Sequence, residues 1–169
     1  MIKMKNIYLI GFMGSGKSSV GKSLCILLDC DYVDTDTVVE EKNNKTIVDI
    51  FASEGENAFR IYESKVLREV PFENCVVSTG GGIIENEKNV EQMKNTGIIV
   101  YLETSFSKID ERLKMDLSRP LWNQNKQKKK ELFEKRIDLY RSCANVTVKT
   151  DDKSYHDVAA EVVSYIVGE

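Results

Sequence analysis

The sequence predicts an α/β protein in which helices cover both faces of a parallel sheet. Two observations favour this class. Short apolar runs alternate along the chain with longer segments whose apolar residues recur every three or four positions. No internal repeat and no Pro/Gly/Ser-rich linker divides the 169 residues. We therefore expect one three-layer αβα domain over residues 1–169, with five parallel strands at its centre.

The predicted strands are short apolar runs that end at glycine or polar residues. They comprise residues 7–10, 31–33, 75–78, 98–102 and 146–148. The run at 98–102 is the most apolar and β-branched of them. In parallel sheets of this kind, ligands bind beyond the carboxyl ends of the strands. The segments that directly follow the predicted strands are therefore the places to look for a functional site.

The predicted helices depend on apolar periodicity and on capping residues. Val20 and Leu24 fall at helical spacing, Asn86 can cap a later helix, and Pro71 ends the longest helical segment, which has a break near Gly55. The helices are expected over residues 17–28, 37–42, 46–70, 86–94, 106–113, 126–143 and 154–167.

The charge balance argues against nucleic acid or an anionic membrane as the main partner, because 24 basic and 27 acidic residues give a net charge of −3. The four cysteines form no C-x-x-C pair, so we expect no zinc site and interpret them as small buried hydrophobic residues. No apolar run is typical of a signal peptide or long enough to span a bilayer. We expect a cytoplasmic monomer that acts on small molecules.

A glycine-rich segment, GFMGSGKS at residues 11–18, matches the phosphate-binding pattern G-x-x-x-x-G-K-[ST] and lies between a predicted strand and a predicted helix. Glycines allow backbone N–H groups to line a concavity, and the following helix presents the positive end of its dipole to phosphates. Lys17 can reach the β- and γ-phosphates, and the Ser18 hydroxyl can ligate Mg²⁺. The segment predicts ATP or GTP binding, but it does not distinguish a kinase from a hydrolase or a switch.

Two acids, Asp34 and Asp36, follow the second predicted strand. Residues two apart in an extended chain point to the same side, so both can face the ligand edge. Carboxylates there can orient Mg²⁺ or its waters, or can hold a substrate hydroxyl and draw its proton. Alternatively, Asp34 or Thr35 caps the next helix. The residues alone leave both interpretations open.

Arginines supply candidate anion contacts. Glu56, Arg60 and Glu63 fall on one helical face, which by itself favours an ordinary surface ion-pair ladder. Arg119 lies in an aperiodic segment, about 114–125, which can be a mobile lid that closes over ATP. Arg60 and Arg136 are candidates for binding a substrate carboxylate with a guanidinium fork. Their spacing does not show whether they converge.

The whole chain resembles the shikimate kinase family. Six ordered segments carry the resemblance: GFMGSGKS (11–18), DTD (34–36), DIFASEGENAFRIYE (49–63), STGGG (78–82), SRPL (118–121) and KRIDLYR (135–141). The pattern F-x-x-x-G-E-x-x-F-R-x-x-E, followed by the triple glycine, is far more specific than the phosphate-binding loop. The resemblance implies a P-loop fold of the nucleoside-monophosphate-kinase type. It also implies Mg²⁺-dependent transfer of the ATP γ-phosphoryl group to the shikimate 3-hydroxyl, on the route to chorismate and the aromatic amino acids.

The resemblance also implies roles for individual residues. Asp34 is the acid near Mg²⁺, and Asp36 holds the shikimate hydroxyls and can act as the base. Arg60 and Arg136 bind the carboxylate, with backbone contacts from the glycine run at Gly81 and Gly82. The residues expected at ATP are Gly14, Ser15, Gly16, Lys17, Ser18, Ser19, Arg112 and Arg119, of which Lys17 and Arg119 are expected to offset charge during transfer.

Two other functions are compatible with the phosphate-binding loop. A gluconate kinase-like enzyme would share residues 11–18 but should lack the paired acids, the Gly-Glu…Phe-Arg pattern and the triple glycine together. A nucleotide-binding regulator would bind without turnover, which the intact set of expected site residues argues against. Release of ADP that depends on the acceptor distinguishes both from the implied activity.

Overall fold

The computed structural model of the protein describes residues 3–116 and 126–168. Its strands form one parallel sheet in the order β2-β3-β1-β4-β5. They are β1 (Asn6–Ile10), β2 (Asp31–Asp34), β3 (Cys75–Ser78), β4 (Gly97–Glu103) and β5 (Val146–Lys149). The predicted parallel five-stranded sheet is therefore confirmed, and each strand lies within two residues of its predicted bounds.

Helices connect the strands and cover the sheet. They are α1 (Lys17–Leu28), α2 (Thr35–Asn43), α3 (Ile47–Ser53), α4 (Glu56–Glu69), α5 (Glu87–Thr96), α6 (Phe106–Lys114), α7 (Lys126–Cys143) and α8 (Tyr155–Val167), with a 3₁₀ turn at Ile83–Glu85 before α5. The predicted break near Gly55 is confirmed, because this residue has a φ of +89° between α3 and α4. The predicted start of α2 at Thr37 is wrong by two residues, because the Asp34 side chain caps the helix from Thr35.

The core lies on both faces of the sheet. All five residues of β1 are buried, and successive side chains of a strand point to opposite faces. Ile7 and Leu9 pack in one apolar cluster with residues of α1 and α8. Tyr8 and Ile10 pack in another with residues of α4, α5 and α7. The central strand is thus covered by a helical layer on each side, as the α/β prediction requires.

A third, smaller cluster packs α2, α3 and α4 against one another through Val39, Ile50, Phe59 and Val66. These helices follow β2, the strand at one edge of the sheet. The prediction that all four cysteines are buried is wrong for Cys25 and Cys30, which are half-buried. Within residues 3–116 and 126–168, no helix is both long and apolar enough to cross a membrane.

Candidate active site

Three polar segments meet at the carboxyl edge of the sheet. The register sets Leu9 of β1 opposite Ser78 of β3, and Ser78 in turn opposite Asp34 of β2. These three strands are neighbours, so the segments that follow them emerge side by side. They are the glycine-rich loop at 11–18, the start of α2 and the glycine run at 80–82. The fold therefore brings together the motifs that the sequence singled out.

The glycine-rich loop has the backbone of an anion cradle. Gly14 and Gly16 have φ values of +80° and +91°, a conformation that glycine adopts without a steric penalty. Gly16 caps α1 and has no side chain with which to bond the N–H groups of this helix end. The Lys17 ammonium lies at the same loop, where it donates to the Gly11 carbonyl at 2.6 Å and to the Phe12 carbonyl at 3.0 Å. Backbone donors, a helix N-terminus and a cation thus face one place.

Asp34 caps a helix and also contacts the phosphate-binding loop. Its Oδ1 accepts from the backbone N–H groups of Asp36 and Thr37, at 3.0 and 3.3 Å, and so caps α2. Its Oδ2 accepts from the Ser18 hydroxyl at 2.9 Å. A hydroxyl and a carboxylate in contact beside the phosphate cradle are oxygen donors of the type that a hard divalent cation prefers.

The acidic and cysteine or histidine side chains of the described residues form no group of three or more that could hold a metal ion by themselves. A cation at Ser18 and Asp34 would therefore complete its coordination with water and phosphate oxygens. Mg²⁺ is usually held in this way in nucleotide-binding sites, through one or two protein oxygens. The donor set fits such an ion.

A hydrogen-bond chain that the sequence did not indicate supports this corner of the site. The Tyr32 hydroxyl donates to the Ser78 hydroxyl at 3.1 Å, and Ser78 donates to the Lys17 carbonyl at 2.9 Å. Burial raises the pKa of Tyr32, so its hydroxyl keeps its proton. These hydrogen bonds join the first turn of α1, at Lys17, to β3 and to Tyr32 of β2. They therefore fix the start of α1 relative to the strand that ends at Asp34.

Asp36 lies in the first turn of α2, over the glycine run. A Cβ added to Gly80 would fall 2.9 Å from Asp36 Oδ1 and 2.4 Å from Glu63 Oε2. The two carboxylates therefore converge on the space that Gly80 leaves open. The predicted extended conformation at Asp36 is wrong, because α2 already begins at Thr35. Helical geometry, rather than strand geometry, directs its carboxylate.

Arg60 forms the ion pairs that helical spacing predicted. Its Nη1 donates to Glu63 Oε1 at 3.0 Å and its Nη2 to Glu56 Oε1 at 3.2 Å. Glu63 is only 1% exposed, so the interpretation as a surface ladder is wrong. Burial raises the pKa of Glu63 to about 7, with a further upward contribution from Asp36 and an opposing one from Arg60. A buried acid with a raised pKa at this position is a candidate member of the site.

The two candidate arginines converge on consecutive glycines. A Cβ on Gly82 would lie 2.5 Å from the Arg60 guanidinium carbon, and one on Gly81 would lie 3.2 Å from Arg136 Nη1. Arg136 is 4% exposed, and its guanidinium lies 5.8 Å from the centre of the Phe12 ring. Sequence spacing alone did not establish this convergence. Folding brings both guanidinium groups to the glycine run from different helices, α4 and α7.

Tyr140 and Glu85 belong to the same surroundings and were not singled out from the sequence. The Tyr140 hydroxyl donates to the Gly81 carbonyl at 2.5 Å, and its ring stacks on Tyr101 with centroids 5.0 Å apart. Glu85, at the end of the 3₁₀ turn, accepts from Arg136 Nη2 at 3.4 Å. Tyr140 lies within the segment KRIDLYR and Glu85 lies in none of the six segments, but neither contact could be inferred from the sequence, because each residue acquires its partner only through the fold.

The other residues predicted to bind ATP lie at or near the glycine-rich loop, except for Arg119, which lies outside the described residues. Arg112, on α6, donates through Nη1 to the Gly14 carbonyl at 2.9 Å, so it lies against the phosphate-binding loop. Ser15 is buried, and its carbonyl accepts from the Thr104 hydroxyl at 3.4 Å. Ser19 lies in the first turn of α1. Arg119 and residues 117–125 of the predicted lid lie outside the described residues.

The fold and the loop define a P-loop nucleotide-binding protein. A family model described as shikimate kinase matches residues 13–167. A shikimate kinase of Bacillus cereus is 44% identical over 162 residues, which cover 94% of this chain and 96% of that protein. A shikimate kinase of Sulfurihydrogenibium is 45% identical over 164 residues, covering 96% and 98%. The chain therefore belongs to the shikimate kinase family.

Solved structures agree with this assignment. The structure of a shikimate kinase from Acinetobacter baumannii in complex with shikimate has a TM-score of 0.91 at 38% identity, covering 98% of this chain and 94% of that one. The Aquifex aeolicus shikimate kinase has a TM-score of 0.85 at 36% identity, covering 96% of each chain. The family resemblance, the P-loop fold and the class of enzyme, a phosphotransferase with an alcohol acceptor, are thus confirmed.

Proposed function

We propose that this protein transfers the γ-phosphoryl group of ATP to the 3-hydroxyl of shikimate, giving shikimate 3-phosphate and ADP. The observation that carries the proposal is the convergence of Arg60 and Arg136 on the glycine run, beside Asp36 and next to the phosphate cradle. A hydroxy acid needs both features, a cationic site for its carboxylate and an acid that receives its hydroxyl. The family to which the chain belongs supports the identity of the acceptor.

Each side chain has a task that follows from its position. The loop N–H groups and Lys17 hold the phosphates and offset charge on the group in transfer. Arg60 and Arg136 fix the acceptor through its carboxylate, which leaves its hydroxyl toward Asp36. Asp36 accepts the hydroxyl proton or orients the attacking oxygen. Gly80 keeps the space above Asp36 and Glu63 open, since a Cβ there would fill it.

The proposed metal is Mg²⁺, held by the Ser18 hydroxyl and by Asp34 either directly or through water. When bound there, it would supply positive charge that offsets the negative charge of the phosphates during transfer. Two further parts of the proposal depend on residues 114–125. We propose that this segment closes as a lid, and that Arg119 contacts the phosphates. Arg112 would lie at the nucleotide from its position against Gly14.

The first experiment measures ADP release with ATP and Mg²⁺, with and without shikimate, and with gluconate and quinate as comparison acceptors. We expect ADP release when shikimate is the acceptor, and none with gluconate, with quinate or without an acceptor. Release with another acceptor would keep the kinase and replace the substrate, and no acceptor-dependent release from folded, ATP-binding protein would overturn the proposal. Chelation of the metal should abolish turnover and added Mg²⁺ should restore it.

A variant separates the acceptor site from the nucleotide site. Arg136→Gln removes the charge that binds the carboxylate, so we expect the KM for shikimate to rise about 100-fold while the KM for ATP stays within about twofold. Arg141→Gln is the matched control, because Arg141 lies on the same helix but is exposed and pairs with Glu103. An unchanged shikimate KM in Arg136→Gln would move the carboxylate site elsewhere.

A further inference from the structure

Glu85 places a carboxylate beside the proposed substrate-carboxylate site. It is the last residue of the 3₁₀ turn that follows the glycine run. Its Oε2 accepts from Arg136 Nη2 at 3.4 Å, and its Oε1 lies 3.4 Å from Lys135 Nζ. With Arg60 and Gly82 it also lines a pocket of about 510 Å³. The acid thus lies where a bound acceptor would present its own negative charge.

Arg136 has close neighbours besides Glu85. The arginine is 4% exposed and is held between the Phe12 ring and the backbone of Gly81. Burial raises the pKa of Glu85, but the charges of Arg136, Lys135 and Arg60 outweigh this effect and lower its pKa below the ordinary value. Glu85 is therefore ionised at neutral pH. Glu85 therefore contributes a negative charge to the site.

Both arginines of the proposed carboxylate site already have carboxylate partners. Arg60 pairs with Glu63 and Glu56, and Arg136 pairs with Glu85. Glu85 is the more readily displaced of the two innermost acids. Its side chain is 26% exposed against 1% for Glu63, and its contact is 3.4 Å against 3.0 Å. Lys135, whose side chain is 67% exposed, can keep Glu85 paired when it leaves Arg136.

We propose that Glu85 is a specificity-determining residue, an internal counter-ion of Arg136 that the carboxylate of the acceptor displaces. The inference rests on the proposed role of Arg136 as a carboxylate partner. Glu85 already neutralises the charge of Arg136 before substrate binds, so an anion that contacts Arg136 weakly cannot displace it. A well-placed carboxylate can, because its ion pair with Arg136 is stronger than the one it replaces. Glu85 thus favours correctly placed carboxylates over other anions, but lowers the affinity for both.

The test is Glu85→Gln, which removes the charge and keeps the size of the side chain. We expect the KM for shikimate at low ionic strength to fall roughly threefold to tenfold, with kcat and the KM for ATP within about twofold. Inhibition by chloride and acetate should become stronger. Binding of the primary amide of shikimate, which has no carboxylate charge, should change by less than about twofold.

Glu87→Gln is the matched control, since Glu87 lines the same pocket two residues farther along. It should shift the shikimate KM much less than Glu85→Gln does. An equal shift in both variants would indicate a general effect of surface charge and would overturn the proposal. An unchanged KM in Glu85→Gln would also overturn it, and a raised KM would show that Glu85 orients Arg136 instead.

The Arg136→Gln variant distinguishes failure of this inference from failure of the proposed function. If Arg136→Gln raises the shikimate KM but Glu85→Gln does not lower it, only the counter-ion role is wrong. If Arg136→Gln leaves the KM unchanged, the carboxylate site itself is misplaced. In the double variant, the effect of Glu85→Gln should disappear, because the charge that it neutralises is no longer present.

Discussion

At the scale of single residues, the site depends on acids that do different work according to their surroundings. Asp34 is fixed by two backbone N–H groups and the Ser18 hydroxyl. Asp36 and Glu63 instead face the space above Gly80. Hydrogen bonds and burial, not the residue type, therefore distinguish these carboxylates: Asp34 caps α2, and we propose that it also serves the cation while Asp36 serves the acceptor.

The role of Asp36 is tested by Asp36→Asn, which keeps the shape of the side chain but removes its basicity. We expect kcat to fall about 100-fold or more, because the acceptor hydroxyl loses the group that takes or aligns its proton. ATP affinity, measured by calorimetric titration, should stay within about twofold. Asp31→Asn, an exposed acid at the start of β2, should behave as wild type. Turnover at the wild-type rate in Asp36→Asn would show that another group receives the hydroxyl.

Glu63 should give the protein a pH-dependent stability. Its pKa of about 7 in the folded state lies above the ordinary value of 4.5, so the folded state binds the proton more tightly than the unfolded state. The free energy of unfolding should therefore fall as pH rises from about 4.5 to 7 and should level off above that range. Between pH 5 and 8, the free energy of unfolding of the wild type, measured by urea unfolding, should fall by about 2 to 3 kcal/mol relative to that of Glu63→Gln.

Glu56→Gln is the control for this prediction. Glu56 contacts the same guanidinium, but its side chain is 60% exposed. It shows whether a pH-dependent difference in the free energy of unfolding is particular to the buried acid. A difference between Glu63→Gln and wild type that does not vary with pH would show that the Glu63 carboxylate does not take up a proton in this range.

At the scale of elements, the glycine run is positioned by helices far away in sequence. Arg60 from α4 lies against Gly82, and Arg136 and Tyr140 from α7 lie against Gly81. A side chain on Gly82 would overlap the Arg60 guanidinium, and one on Gly81 would make a tight contact with Arg136 Nη1. The proposed carboxylate site therefore consists of side chains from α4 and α7 that pack against the backbone of the glycine run.

The contact of Tyr140 with Gly81 predicts the effect of Tyr140→Phe. The variant keeps the ring stacked on Tyr101 but removes the hydrogen bond to the Gly81 carbonyl. Since one such bond is worth about 0.5 to 1.5 kcal/mol, the KM for shikimate should rise about threefold to tenfold with little change in the KM for ATP. Tyr101→Phe, which keeps both the stack and the Gly81 bond, should leave both KM values near wild type. Equal effects of the two variants would indicate a general loss of packing.

At the scale of the whole molecule, local patterns predicted the elements and the fold determined the site. The bounds of α1, α7 and β3 were predicted to the residue, because apolar periodicity and capping are local properties. The start of α2 was not, since the choice of Asp34 as its cap depends on how β2 ends. The burial of Glu63 and the bond between Tyr140 and Gly81, which are 59 residues apart, depend on the topology. Sequence spacing holds no information about such contacts.

The family pattern predicted more of the site than the physical reading of single segments did. Spacing alone favoured a surface ladder for Arg60, whereas the resemblance implied that Arg60 and Arg136 act together. Their guanidinium groups do converge on adjacent glycines. Neither the family pattern nor residue spacing indicated Glu85, because its partner Arg136 is 51 residues away and no motif includes it. The roles of these residues in binding and catalysis stay predictions until the variants are measured.

The phosphate-binding helix α1 also joins the site to the core, and this predicts that stability and activity can be separated. Leu24 of α1 is fully buried in the cluster that packs α1 and α8 on the sheet. Leu24→Ala should lower the free energy of unfolding by about 2 to 5 kcal/mol, measured by urea unfolding. Leu27→Ala makes the same change on the same helix at a residue that is 55% exposed, and should cost less than about 0.5 kcal/mol.

Below the unfolding transition both variants should keep kcat and both KM values near wild type, because the loop at the start of α1 is held by Tyr32 and Ser78. A large loss of kcat in folded Leu24→Ala would show instead that core packing along α1 sets the geometry of the phosphate cradle.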